Sequence, residues 1–207
     1  MIFNLPNIIS MIRVIIAPFF LYFLVWGGKG GVELACFLYF IGSATDFFDG
    51  WLARKYHEVS NLGKFVDPLA DKILTTAAFA AFVLLDIVEL WMVIIILLRD
   101  FGTTFLRLYA DIAGKPIRTS LLAKWKTFLQ MVFIAYILIL LLLKETEGFT
   151  NNILGMAPEE VNLLIYSFSI YIVMLLLTLL TIWTAGEYIV QNKNLFAFFN
   201  KKSSVKK

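Results

Sequence analysis

The chain has 207 residues, 60% of them hydrophobic and 16% charged, with a net charge of +3 and a mean hydropathy of +0.83. That balance excludes an ordinary soluble domain and offers no nucleic-acid surface; it points to a polytopic membrane protein. At roughly 20 residues per crossing, the length holds about six spans and no separate soluble domain.

Residues 1–9 are apolar but interrupted by Asn4, Pro6 and Asn7, and are expected as a short interfacial segment. They lack a basic leader and a small-residue cleavage site, so no signal peptide is expected. Span 1 follows at about 10–26, with Arg13 placed to reach headgroups and Pro18 as a possible kink. Gly27, Gly28, Gly30 and Gly31 around Lys29 predict a tight turn. Span 2 covers about 32–56, and a short polar loop leads to span 3, which starts near Gly63 and ends near Leu85. Pro68 is tolerable in its first turns, where backbone amides are free. Asp86–Glu89 is an acidic turn before span 4, about 90–111. A basic loop, 112–120, precedes span 5, about 121–143. An acidic loop, 144–160, precedes span 6, about 161–185. A basic tail occupies 190–207.

Charge sets the expected orientation. With six spans, one side collects Arg13, Arg54, Lys64, Lys72, Arg99, Arg107, Lys115, Arg118, Lys124, Lys126 and the tail lysines. The other side keeps only Lys29 and Lys144. The positive-inside rule puts the first side, with both termini, in the cytoplasm. Trp26, Trp51, Trp91 and Trp183 fall near span ends, as an aromatic belt requires. The tail lysines suit anionic headgroups. Cys36 sits in an apolar run with no second cysteine to bridge, and His57 lies in a polar loop without partner ligands.

The most informative stretch is 46–71, which reads Asp46-x2-Asp49-Gly50-x2-Ala53-Arg54-x8-Gly63-x3-Asp67-x3-Asp71. The acids are spaced i,i+3 and i,i+4, so each pair shares one helix face. An acid inside a membrane span costs about 2.5 kcal/mol or more, so four of them point to function. Capping, or ion pairing with Lys64 and Lys72, explains one or two of them but not the Gly/Ala/Arg set beside them. Four carboxylates call for a cation, and hard oxygen ligands suit Mg2+, Mn2+ or Ca2+ rather than zinc. Gly50 and Ala53 free one helix face for close approach of a ligand, and Arg54 adds a fixed positive charge. Bare ion passage has no need of that arginine, which favours an anionic substrate over a transport pathway.

This pattern resembles the signature of the CDP-alcohol phosphotransferases, and every fixed position of it is met here. The six-helix layout is similar too. The resemblance implies two divalent cations, Mg2+ or Mn2+, held by Asp46, Asp49, Asp67 and Asp71, with Asp71 also serving as catalytic base. It implies a CDP site at Asp49, Gly50, Ala53, Arg54 and Gly63, and a homodimer. Within the family, the opening Asn4-Leu5-Pro6-Asn7-Ile8-Ile9-Ser10-x2-Arg13 resembles that of the bacterial phosphatidylglycerophosphate synthases. So do Arg99-Asp100 and Lys124-Trp125-Lys126-Thr127-x2-Gln130, with Ala123, Asp100 and Ser10 standing where that group usually has Gly, Glu and Thr. The implied donor is CDP-diacylglycerol, entering from the bilayer among membrane lipids, and the implied acceptor is sn-glycerol 3-phosphate. The acceptor phosphate is expected near Arg107, Arg118, Lys124, Ser10 and Arg13. The expected place is a bacterial cell membrane with the site facing the cytoplasm. The rivals are another acceptor (inositol phosphate, serine or phosphatidylglycerol), a divalent-cation transporter, and a membrane scaffold.

Overall fold

The computed structural model describes residues 5–56, 63–112, 120–146 and 157–191, and every regular element among them is an α-helix. In chain order these are α1 (Leu5–Trp26), α2 (Gly31–Tyr56), α3 (Gly63–Leu84), α4 (Leu90–Ile112), α5 (Leu121–Glu145), α6 (Pro158–Ile165) and α7 (Phe168–Gln191). Helices satisfy their backbone groups internally, which an apolar chain in lipid requires. Two segments, Leu121–Glu145 and Glu159–Gln191, are long and apolar enough to cross a bilayer; Ser10–Trp26, Gly31–Thr45 and Lys72–Leu84 are shorter apolar helices. Large apolar side chains such as Phe40, Leu98, Leu121 and Trp183 stand exposed. An envelope of this kind suits lipid rather than water, and it is consistent with a membrane protein.

The bundle has two distinguishable ends. At one, the Tyr166 hydroxyl donates to the Leu85 carbonyl at 3.2 Å, and Lys144 lies 6.0 Å from the Tyr166 ring centre. This end therefore gathers the last residues of α3 and α5 with the α6–α7 junction. Cys36, early in α2, directs its thiol to the Leu138 carbonyl late in α5, which brings the start of α2 to the same end. At the opposite end Ser120 caps α5 by accepting from the Ala123 amide, and its hydroxyl donates to Glu187 near the end of α7. The start of α3 belongs to that end too.

Packing follows from small and aromatic side chains. α1 lies against α2 and α3; Ala17, Phe20 and Leu24 are buried in the same core cluster as Ala35, Leu74 and Ala78. Phe79 of α3 stacks on Phe133 of α5 with ring centres 6.4 Å apart. Gly42 lets α2 approach α3: a Cβ there would stand 2.9 Å from Leu74 Cδ2 and 3.7 Å from Ile16 Cγ2. Gly42→Val should therefore wedge three helices apart and destabilise the bundle by about 1–3 kcal/mol. Thermal unfolding in detergent checks this, and an unchanged midpoint refutes the close packing.

The expected spans coincide with α2 to α5 within a few residues. Two differences stand out. α1 is already helical from Leu5, so 5–9 form no separate element; Pro6 fits there because a first turn has unpaired amides. The same helix continues through Pro18. The expected sixth span is divided into α6 and α7 at Tyr166–Ser167. There the Ser167 hydroxyl donates to the Leu164 carbonyl at 2.7 Å and the Tyr166 amide to Asn162 at 3.1 Å, which closes α6 before α7 begins. The glycine turn is as expected, with Gly28 and Gly30 at φ 62° and 79°.

Candidate active site

The motif residues fall on two helices. Asp46, Asp49, Gly50, Ala53 and Arg54 lie in the C-terminal half of α2. Gly63 begins α3, which carries Asp67 and Asp71 in its opening turns. Both runs are helical. The chain leaves α2 and enters α3 with only 57–62 between them, so both runs belong to one end of the bundle. The side chains of residues 46–68 and of Asp71 lie outside the described ones. Among the described residues no group of three or more His, Cys, Asp or Glu side chains comes together.

A buried ionic cluster lies at the same end. Asp100 of α4 is 5% exposed. Its Oδ1 accepts from the ammonium of Lys126 on α5, a residue with no exposed surface, and from Arg99 Nη1 at 3.2 Å. Its Oδ2 stands 3.9 Å from the ammonium of Lys72 on α3. One carboxylate thus joins three helices and faces three cations. Burying a charge is costly unless it is paired and hydrogen-bonded, and here the pairing is dense. Two polar atoms, Arg99 Nε and Gln130 Nε2, are buried without a hydrogen-bond partner among the described residues. Gln130 follows Lys126 by four residues and so shares its helix face.

The other expected site residues divide by environment. Ser10 and Arg13 are buried, at 0% and 2% exposure, three residues apart on one face of α1. Arg107 and Lys124 are exposed near the end of α4 and the start of α5. Arg118 lies outside the described residues, as do His57 and the basic tail. The sequence alone puts Lys72 among the membrane-boundary cations or against the motif acids, and gives Asp100 no partner. The structure brings Lys72, Arg99 and Lys126 to Asp100 instead. The available signal was an acid in mid-helix amid apolar residues, which needs a buried counter-charge.

A family model described as CDP-alcohol phosphatidyltransferase matches residues 3–191. The chain belongs to the CDP-alcohol phosphatidyltransferase family. It is similar to the CDP-diacylglycerol–glycerol-3-phosphate 3-phosphatidyltransferase of Bacillus subtilis, at 38% identity over 66% of this chain and 77% of the relative. The protein of the same name from Rickettsia typhi is 37% identical, over 66% of this chain and 76% of the relative. A probable phosphatidylglycerophosphate synthase of Mycobacterium tuberculosis is 39% identical, over 63% and 64% respectively. In this CDP-alcohol phosphatidyltransferase the matched region takes in all seven described helices, and so both the acid motif and the ionic cluster at Asp100.

Proposed function

We propose that the protein transfers the phosphatidyl group of CDP-diacylglycerol to sn-glycerol 3-phosphate, giving phosphatidylglycerophosphate and CMP in phospholipid biosynthesis. The observation that carries this is the family match over 3–191, joined to relatives at 37–38% identity that bear the name of this activity. The whole chain, 1–207, acts as one six-span unit, with the start of α1 along the interface and the tail from 190 in the cytoplasm. The excess of Lys and Arg at the end holding the motif supports a cytoplasm-facing site in a bacterial cell membrane. A homodimer completes the reading.

Asp46, Asp49, Asp67 and Asp71 would hold two divalent cations, Mg2+ or Mn2+. The donor chemistry fits, because all four are carboxylates on helical runs that meet at one end of the bundle. When bound, such ions supply charge neutralisation at the diphosphate and the leaving CMP. Asp49, Gly50, Ala53, Arg54 and Gly63 bind the CDP moiety: the small residues admit it to the backbone, and Arg54 pairs with its phosphate charge. Asp71 takes the proton from the acceptor hydroxyl. The oxygen attacks the lipid-side phosphorus in line, the bond to CMP breaks, and CMP leaves with the displaced oxygen. Positioning supplies much of the rate in phosphoryl chemistry of this kind. The acceptor phosphate is drawn by Arg107, Arg118 and Lys124, with Ser10 and Arg13 shaping its seat from α1. The donor reaches the site laterally, so its acyl chains stay in the bilayer.

The test is CMP release from CDP-diacylglycerol by purified protein across a panel of acceptors. Glycerol 3-phosphate should be the best of them by more than tenfold. Preference for inositol phosphate, serine or phosphatidylglycerol moves the acceptor and keeps the family chemistry. Divalent-cation flux in liposomes without CMP release replaces the reading with a transporter.

A further inference from the structure

We propose that Asp100 is a positioning residue for the transfer, acting through Lys72 on the opening turns of α3. This rests on the reading that Asp67 and Asp71, in those turns, perform the chemistry.

The two oxygens of Asp100 have different partners. Lys126 and Arg99 both hold Oδ1, while Oδ2 is left to face Lys72 at 3.9 Å. The carboxylate is therefore fixed from α5 and from its own helix, and it presents its second oxygen to α3. Lys72 directly follows Asp71 in the chain. Neighbouring positions on a helix differ by about 100° in direction, so holding residue 72 fixes the roll of the whole turn.

α3 needs such an anchor. The hydroxyls of Thr75 and Thr76 both donate to the Lys72 carbonyl. Back-bonding of this kind draws a carbonyl away from the helical ladder and makes a helix easier to bend. α4 repeats the device at the other partner. Thr103 donates to the Arg99 carbonyl at 2.9 Å, and Thr104 to the Asp100 carbonyl at 2.8 Å. Both helices are thus pliable at the residues that form the bridge. Beyond Lys72 the buried face of α3 carries Ala77, Ala78 and Ala81 beside Leu74, Phe79 and Phe82, so its apolar packing is concentrated away from the turn that holds Asp71. The ion pair at the motif end therefore sets the direction of the turn that holds Asp71.

The experiment measures kcat, both KM values and the thermal midpoint of the purified full-length protein in detergent. The variants are Asp100→Asn, Asp100→Glu, Lys72→Met, Lys72→Met with Asp100→Asn, and Asp100→Asn with Lys126→Met. Asp71→Asn is assayed beside them. Asp100→Asn and Lys72→Met should each lower kcat by about 100-fold, the cost of an ångström-scale misplacement, with both KM values within about twofold. The Lys72/Asp100 double change should lower kcat no further than Asp100→Asn alone, because each single change already breaks the Lys72–Asp100 contact. Asp100→Glu should keep kcat within about fivefold. Asp100→Asn with Lys126→Met removes both buried charges, so it should recover the midpoint lost in the single variants while kcat stays low. Recovery of kcat together with the midpoint overturns the proposal and makes the cluster purely structural. A raised glycerol 3-phosphate KM at unchanged kcat in Lys72→Met overturns it as well, making Lys72 an acceptor ligand. Wild-type rates in Asp100→Asn and Lys72→Met beside an inactive Asp71→Asn sink the positioning role alone. Wild-type rates in Asp71→Asn sink the catalytic reading beneath it.

Discussion

Asp71→Asn should reduce CMP release by about 1000-fold while the protein stays folded. Asparagine keeps the size and shape of the side chain but loses its charge and its basicity. The acceptor hydroxyl then has no base to take its proton, a loss worth about 100- to 10,000-fold in comparable systems. On the proposed reading the same change also removes one of four anionic ligands. Asp and Asn have similar helix preferences, so α3 should retain its stability to within about 1 kcal/mol. The check is the rate of CMP formation from CDP-diacylglycerol and glycerol 3-phosphate, beside a thermal midpoint in the same detergent. Activity within about threefold of the parent would show that the proton goes elsewhere.

Removing divalent cations should have an effect of similar size. EDTA treatment is expected to lower CMP release by at least about 100-fold, and excess Mg2+ or Mn2+ should restore it. The physical ground is charge. The motif positions Asp46, Asp49, Asp67 and Asp71 lie on two helical runs separated by six residues, and on the proposed reading a diphosphate substrate adds more negative charge to theirs. Without cations these groups repel one another and the substrate. Lewis-acid assistance to phosphoryl transfer is worth several kcal/mol, and about 2.7 kcal/mol already corresponds to 100-fold in rate. Full activity after exhaustive chelation would remove the cation reading and leave the acids without a shared purpose.

The sequence was most informative where function demands a fixed spacing. Asp46, Asp49, Gly50, Ala53, Arg54, Gly63, Asp67 and Asp71 stand out in the sequence because acids at helical spacing recur beside small and basic residues in an apolar chain, and their positions fall on α2 and α3. The helices α2 to α5 were equally legible, since long apolar runs bounded by glycine, proline and charge have few alternatives to helix. The N-terminal segment was read as separate because Asn4, Pro6 and Asn7 interrupt it. The first turn of a helix accepts such residues, and α1 begins at Leu5. The break at Tyr166–Ser167 escaped notice because a serine hydroxyl bonding back to its own helix leaves no mark in hydropathy.

What the amino-acid order alone determined is the class of protein, the approximate helices and the acid motif, because each depends on residues close together in the chain. What only the tertiary structure decided is the pairing of Lys72, Asp100 and Lys126, which stand on three helices. Ion pairs between distant segments carry no local periodicity, and a lysine near a membrane boundary looks the same whether it faces headgroups or a buried carboxylate. Packing chose between those fates: the fold leaves Lys126 without exposed surface and sets its ammonium against Asp100.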